Sequence, residues 1–229
     1  MKTLFIIPCA ILVDDEESQL ERLFQLQHTI DSITSRFKNP EIKIYDLMGT
    51  PASVSLLSKI NGFIINTTEN DKDVLNIKKK AADVRLPVVG SIRPAYEKGY
   101  IKNATESLII CKIIDSIDAS LYDRIYKITG RYFFNNSFNL KEHDVFGKIT
   151  FKNKSRCGHG KYYTKTDYLR HCMYWSFCPS ILEEVKDSFK KIHDYIIDHS
   201  NGKGIASIEN GLDLFFDDVF RVFKFLVFI

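Results

Sequence analysis

The sequence predicts an α/β fold with a mostly parallel central sheet flanked by helices and a helical C-terminal part. Three observations carry this. Short apolar runs alternate with helix-period segments up to Phe134, the pattern of βαβ units. The first run, Leu4–Ile7, is apolar at successive positions, as a strand covered on both faces is. Beyond Phe134 the alternation gives way to a polar, Lys-rich stretch followed by longer helical stripes. Residues 1–134 are read as the α/β part and 135–229 as a loop region with C-terminal helices, all in one compact domain.

Leu4–Ile7 is a buried first strand running into the turn Pro8-Cys9-Ala10. Its apolar run and Lys2 also suit a short signal peptide, but Pro8, the acidic Asp14–Glu17 and the lack of a small-x-small site favour the strand. Glu16–Phe37 is a helix with Leu20, Leu23, Phe24, Ile30 and Ile33 on one face, broken by Pro40. Glu41–Tyr45 is the second strand and ends at Asp46. A short helix follows at Ser53–Ile60, a third strand at Gly62–Asn66, a polar-faced helix at Lys72–Val84 and a fourth strand at Pro87–Ser91. Thr105–Asp118 is a helix apolar on most sides and therefore buried. Asp123–Ile128 is a further strand. The later half has a β-like segment at Lys148–Lys152, an irregular aromatic stretch at Thr166–Phe177 and a helix at Ile181–Ile197. A last helix over Ile208–Leu226 carries Leu212, Phe215, Phe216, Val219, Phe223 and Leu226 on its core face.

Of the 229 residues, 45% are hydrophobic and 27% charged, which excludes a disordered or collagen-like chain. A net charge of +3 is too small to announce a nucleic-acid partner. Five cysteines, an odd and scattered set, argue for a reducing compartment. The expected location is cytoplasmic, at the inner face of a membrane if the partner is membrane-bound.

Ligands of open α/β sheets sit beyond the carboxyl ends of the strands. Three groups fall there: Pro8, Cys9 and Ala10; Asp46; and Lys127 with Thr129, Gly130 and Arg131. A carboxylate at Asp46 can accept hydrogen bonds from a ribose or base, or cap a turn. Lys127 and Arg131 suit a diphosphate, Arg131 through its bidentate fork, and Gly130 beside it implies a close backbone approach. A second constellation, Cys157, His159, His171, Cys172 and Cys178, has zinc-ligand residue types but no paired knuckle spacing, so scattered buried thiols compete with a zinc site. A third is the aromatic run from Tyr162 to Phe177. There Tyr174 and Trp175 are the candidates for stacking on an acceptor sugar, with a packed core as the alternative.

The segment Leu4–Pro8, the helix with Arg22, Gln25 and Thr29–Ile33, and Ile42–Asp46 resemble the front half of a GT-A-fold nucleotide-diphospho-sugar transferase. Asp123–Phe133 is similar to a K-I-x-G-R-Y block of bacterial and viral surface-polysaccharide glycosyltransferases, and Ile208–Leu212 to their I-E-H-x-L block. The resemblance implies a Rossmann-like GT-A fold and transfer of a sugar from a nucleotide-sugar donor to a glycan or lipid-linked acceptor, without nucleic acid and with peripheral membrane association. It also points to Glu209 as a late catalytic carboxylate; a first-turn glutamate serving the helix dipole is the plainer reading of that residue. Such enzymes carry Asp-x-Asp on a divalent metal, manganese or magnesium, where this chain has Thr129-Gly130-Arg131. Asp71-Lys72-Asp73 has the letters but opens a helix. Fixed cations can replace the metal, because the leaving diphosphate needs only stabilised charge. Two other functions stay open: a zinc-stabilised binding module around Cys157–Cys178, and an inactive GT-A-like protein kept for interaction.

Overall fold

The computed structural model describes residues 1–10, 16–48, 50–60, 63, 65–68, 70–81, 93–143, 146–153, 170–200, 206–216, 219–222 and 226–228. Strands β1 (Thr3–Cys9), β2 (Glu41–Asp46), β3 (Ile65–Thr67) and β4 (Arg124–Ile128) run parallel in the order β3-β2-β1-β4. The sheet continues with β7 (Arg170–Phe177), antiparallel to β4, then β6 (Ile149–Asn153) and β8 (Val219–Val222), the last two parallel. A two-stranded ribbon pairs β5 (Tyr132–Phe134) with β9 (Leu226–Phe228).

Two cores flank the sheet. One face of β1 and β4 (Phe5, Ile7, Tyr126, Ile128) packs on helix α1 (Glu16–Thr34) and on Leu57 of α2 (Pro51–Leu57). The other face (Leu4, Ile6, Ile125) packs with α3 (Lys72–Ala81), α4 (Arg93–Asp115), α6 (Leu182–Ser200) and α7 (Ile208–Phe215); a one-turn α5 spans Leu140–His143. Strict alternation of side chains along β1 and β4 therefore decides which helix layer each residue meets.

Four expectations are corrected. Arg170–Phe177 is not irregular but a long strand inside the sheet: its aromatic Tyr174, Trp175 and Phe177 suit a stretch covered on both faces. The last helix stops at Phe215, with Phe216 already extended, and the Val- and Phe-rich remainder forms β8 and β9. The buried helix is longer than read and begins at Arg93. On α1, Leu20 (52% exposed) and Phe24 (61%) lie outside the core, whose contacts come from Leu23, Leu26, Ile30 and Ile33. The strand expected at Pro87–Ser91 lies outside the described residues. Among the described residues no helix is long and apolar enough to cross a membrane.

Candidate active site

The carboxyl edge of the parallel strands is built by register. Cys9 lies opposite Asp46, and β1 and β4 are paired up to Ile6 and Lys127, so Pro8 comes after the last β1–β4 pair, where its missing N–H breaks no ladder bond. Beyond Ile128 the chain turns tightly, with the Arg131 and Tyr132 amides both donating to the Thr129 carbonyl at 2.7 and 3.1 Å. Gly130 sits at the crossing of three elements. A Cβ there would lie 3.0 Å from Leu26 Cδ1, 3.5 Å from Cys9 Cβ and 3.6 Å from Ile7 Cγ2. The absent side chain lets α1, the end of β1 and the β4 turn meet. Pro8, Cys9, Ala10, Asp46, Thr129, Gly130 and Arg131 thus gather at one edge, with Ala10 exposed and Thr129 and Arg131 half-buried.

Asp46 is fully buried. Its Oδ1 accepts from the Met48 amide at 2.9 Å and its Oδ2 from Ser53 Oγ at 2.6 Å. Ser53 is in turn locked in a capping box with Thr50 at the start of α2. These are the bonds of a turn-holding carboxylate; Asp46 shapes the floor of the edge. Cys9 is buried with Sγ 3.4 Å from the Tyr45 carbonyl. Burial first, and the Asp46 charge second, raise its thiol pKa far above the usual range, so it packs as a neutral thiol.

Lys127 is not at the edge. Its side chain is wholly buried on the α4 face, with Nζ 3.1 Å from Glu106 Oε1. The reason is parity: Tyr126 and Ile128 face α1, so Lys127 between them faces α4. A different cation stands beside Arg131. Arg22 lies on α1 one turn before Leu26, the residue that touches Gly130, and this places it at the same edge. Burial, and then the neighbouring Arg131 charge, lower the Arg22 pKa, with Glu21 acting the other way. Arg22 Nη1 donates to Gln25 Oε1 at 3.2 Å, and Gln25 Nε2 donates to Glu21 Oε1 at 2.9 Å. The signal for Arg22 in the sequence is its four-residue spacing from an apolar helix residue facing the glycine turn.

Tyr174 and Trp175 are withdrawn from the acceptor surface by burial. Tyr174 packs at right angles on Phe134 at 6.0 Å, and Trp175 on Phe189 at 5.3 Å, both with no exposed surface. Glu209 is half-buried in the first turn of α7, behind the Ser207–Asn210 capping box, in the layer on the sheet face opposite α1. No described contact joins it to the strand-end group.

Asp71 and Asp73, the one Asp-x-Asp considered from the sequence, are already committed to other partners. Asp71 caps α3 by accepting from the Asp73 and Val74 amides at 3.0 and 3.2 Å. Lys112 Nζ bridges Asp71 at 2.7 Å and Asp73 at 2.7 Å. No group of three or more metal-ligating side chains occurs among the described residues. Cys157 and His159 lie outside the described residues, as do the side chains of His171 and Cys172; Cys178 is buried, 2.9 Å from Ser180 Oγ.

No protein-family model matches the chain, and no curated protein matches it. Among solved structures it is similar to the galactosyltransferase LgtC in complex with donor and acceptor sugar analogues, at a TM-score of 0.53 and 11% identity over 96% of this chain and 73% of that one. It also aligns with the apo form of mouse xyloside xylosyltransferase 1, at a TM-score of 0.47 and 8% identity over 92% and 79% of the two chains. With the strand order and strand-end turn described above, the similarity to the first establishes that the chain has the GT-A glycosyltransferase fold.

Proposed function

We propose that this protein is a glycosyltransferase that moves a sugar from a nucleoside-diphosphate sugar to a glycan hydroxyl, and that it neutralises the leaving diphosphate with arginine rather than metal. The observation that carries the proposal is the pairing of Arg131 with Arg22 at the carboxyl edge, where a diphosphate meets an α/β sheet. Two guanidinium groups near each other at the strand ends concentrate positive charge where a diphosphate would lie. Each planar fork can hold two of its oxygens. In the reaction the sugar–oxygen bond to the diphosphate breaks as the acceptor oxygen bonds to the same carbon, and the acceptor's hydroxyl proton passes to solvent. The charge left on the diphosphate is what Arg131 and Arg22 stabilise. Thr129 and Ala10 line the same edge, and Gly130 lets the chain approach closely. The similarity of Asp123–Phe133 to surface-polysaccharide enzymes supports a glycan acceptor.

A thermal-shift series of nucleoside diphosphates and their sugars, with manganese and with a chelator, tests this. A ligand at a hundred times its dissociation constant stabilises by about 2.7 kcal/mol, which in a chain of this size moves Tm by roughly 5–10 °C. The expected result is a shift with at least one nucleotide that survives chelation. Strict manganese dependence would overturn the metal-free reading. No shift with any nucleotide would favour the interaction-only relative, a reading for which the turn-bound Asp46 speaks.

A further inference from the structure

Between α1 and β5 lies a cavity of about 420 Å³, lined by His28, Asp31, Arg36, Phe133, Asn135 and Asn136 among others. This is within the roughly 300–1,000 Å³ of small-ligand clefts. Beside it runs an aromatic strip. Phe24, 61% exposed, stacks on His28 with ring centroids 5.6 Å apart, and His28 lies 5.2 Å from the Phe133 ring. Phe24 takes no part in the core beneath α1, so folding does not explain its place. Flat rings at the surface suit a ligand with an apolar face.

The rim is polar and oriented. Arg36 Nη1 donates to the Ser32 carbonyl at 3.3 Å and to Ser35 Oγ at 3.1 Å, and its Nη2 donates to Asn136 Oδ1 at 3.2 Å. Asp31 accepts from Gln27 Nε2 at 2.8 Å. Asparagine amides both donate and accept, as hydroxyl groups do. One carboxylate and one guanidinium balance in charge, so the cleft suits a neutral ligand better than a phosphate or an acidic sugar. The floor is tied down: Thr29 Oγ1 donates to the Tyr132 carbonyl at 2.9 Å, and the Phe134 amide donates to Ser32 Oγ at 3.2 Å. A preformed cleft binds without the cost of ordering its own walls.

We infer that this cleft is a sugar-binding subsite that holds a neutral pyranose ring of the acceptor glycan, its C–H face on Phe133 and His28 and its hydroxyl rim on Asn135, Asn136 and Arg36. The inference rests on the glycosyltransferase reading. β5 begins directly after Arg131 and leads along α1 from the proposed transfer edge to the cleft, so the ring held there is one of the acceptor other than the reacting one.

Saturation-transfer NMR and titration of the full chain with maltotetraose, cellotetraose, xylotetraose and chitotetraose test it. At least one is expected to bind, with enhancement concentrated on ring C–H protons. Phe133→Ala should weaken that binding by about 3- to 10-fold. His28→Ala, on the exposed face of α1, should act in the same direction with an unchanged melting temperature. Absence of binding by all four, or affinity unaltered in both variants, would overturn the subsite. So would self-association of the chain that Phe24→Ser abolishes, because the cleft would then seat a second copy. A nucleotide thermal shift on the same sample separates the two claims: a shift without sugar binding refutes the subsite alone, and sugar binding without a shift counts against the transferase alone.

Discussion

Lys127→Met should unfold the protein before it disturbs any ligand. Lys127 Nζ lies 3.1 Å from Glu106 Oε1, with side-chain exposures of 0% and 9%. Removing the lysine deprives a carboxylate pinned under α4 of this cation. Breaking a buried pair from one side costs about 3–5 kcal/mol, a large part of the roughly 5–15 kcal/mol that holds a domain together. At about 2–4 °C per kcal/mol for a chain of this size, Tm should fall by about 6–20 °C. The double variant Lys127→Met with Glu106→Leu removes both charges and leaves apolar bulk in a cavity of similar size, so it should recover most of the loss. Thermal and urea unfolding of wild type, both single variants and the double variant make a complete cycle. If Lys127→Met kept its melting temperature and instead lost nucleotide affinity, the assignment of Lys127 to the α4 layer would be refuted and a diphosphate role restored.

Arg131→Lys and Arg22→Lys keep charge but lose the planar fork. Each should weaken nucleoside-diphosphate binding by about 10- to 150-fold with a stability change under about 1 kcal/mol, read by titration and melting on the same sample. A clear fall in Tm with affinity intact would make these arginines structural. Gly211→Ala should destabilise by about 1–3 kcal/mol, because its Cβ would lie 2.7 Å from Ile192 Cγ2 and 2.9 Å from Ile192 Cγ1, and a β-branched core residue has little room to yield; urea unfolding measures it, and an unchanged midpoint contradicts the α6–α7 contact. Stability should fall in alkali. Burial, then Asp115 and Asp194, push the Cys111 thiol up to about 12, and burial, then Glu41, push the Tyr122 phenol up to about 12. The native state holds both protons more tightly than the unfolded chain, so their stabilisation is complete below the ordinary thiol pKa of 9.0 and is lost as pH rises toward 12. Urea midpoints at neutral and strongly alkaline pH check this, and Cys111→Ser should flatten the decline.

Local signals were enough for the first two strands. The continuous apolar run in β1 and the alternation in β2 each state their own conformation, and neighbouring parallel strands then place Cys9, Asp46 and Gly130 at one edge. The same signals misread Arg170–Phe177, since a strand covered on both faces has no period to distinguish it from an irregular aromatic stretch. They also misread the end of the chain, where the apolar spacing of Leu212, Phe215 and Phe216 runs on into residues that pair as strands.

Which residue types sit near the strand ends was written in the sequence, and so was the absence of an acidic pair at Thr129-Gly130-Arg131. Which of them face the edge was decided only by packing. Parity along β4 turns Lys127 under α4 and onto Glu106, a partner 21 residues away in the chain. The touch of Leu26 on Gly130 brings in Arg22 from the same helix, α1. Burial between two layers takes Tyr174 and Trp175 out of solvent, while Phe24, apolar and on the expected core stripe, is left exposed beside His28 and Phe133. A sequence specifies side-chain chemistry and local period. The direction in which a side chain finally points depends on which elements cover each face, and that is a property of contacts between segments far apart in the chain.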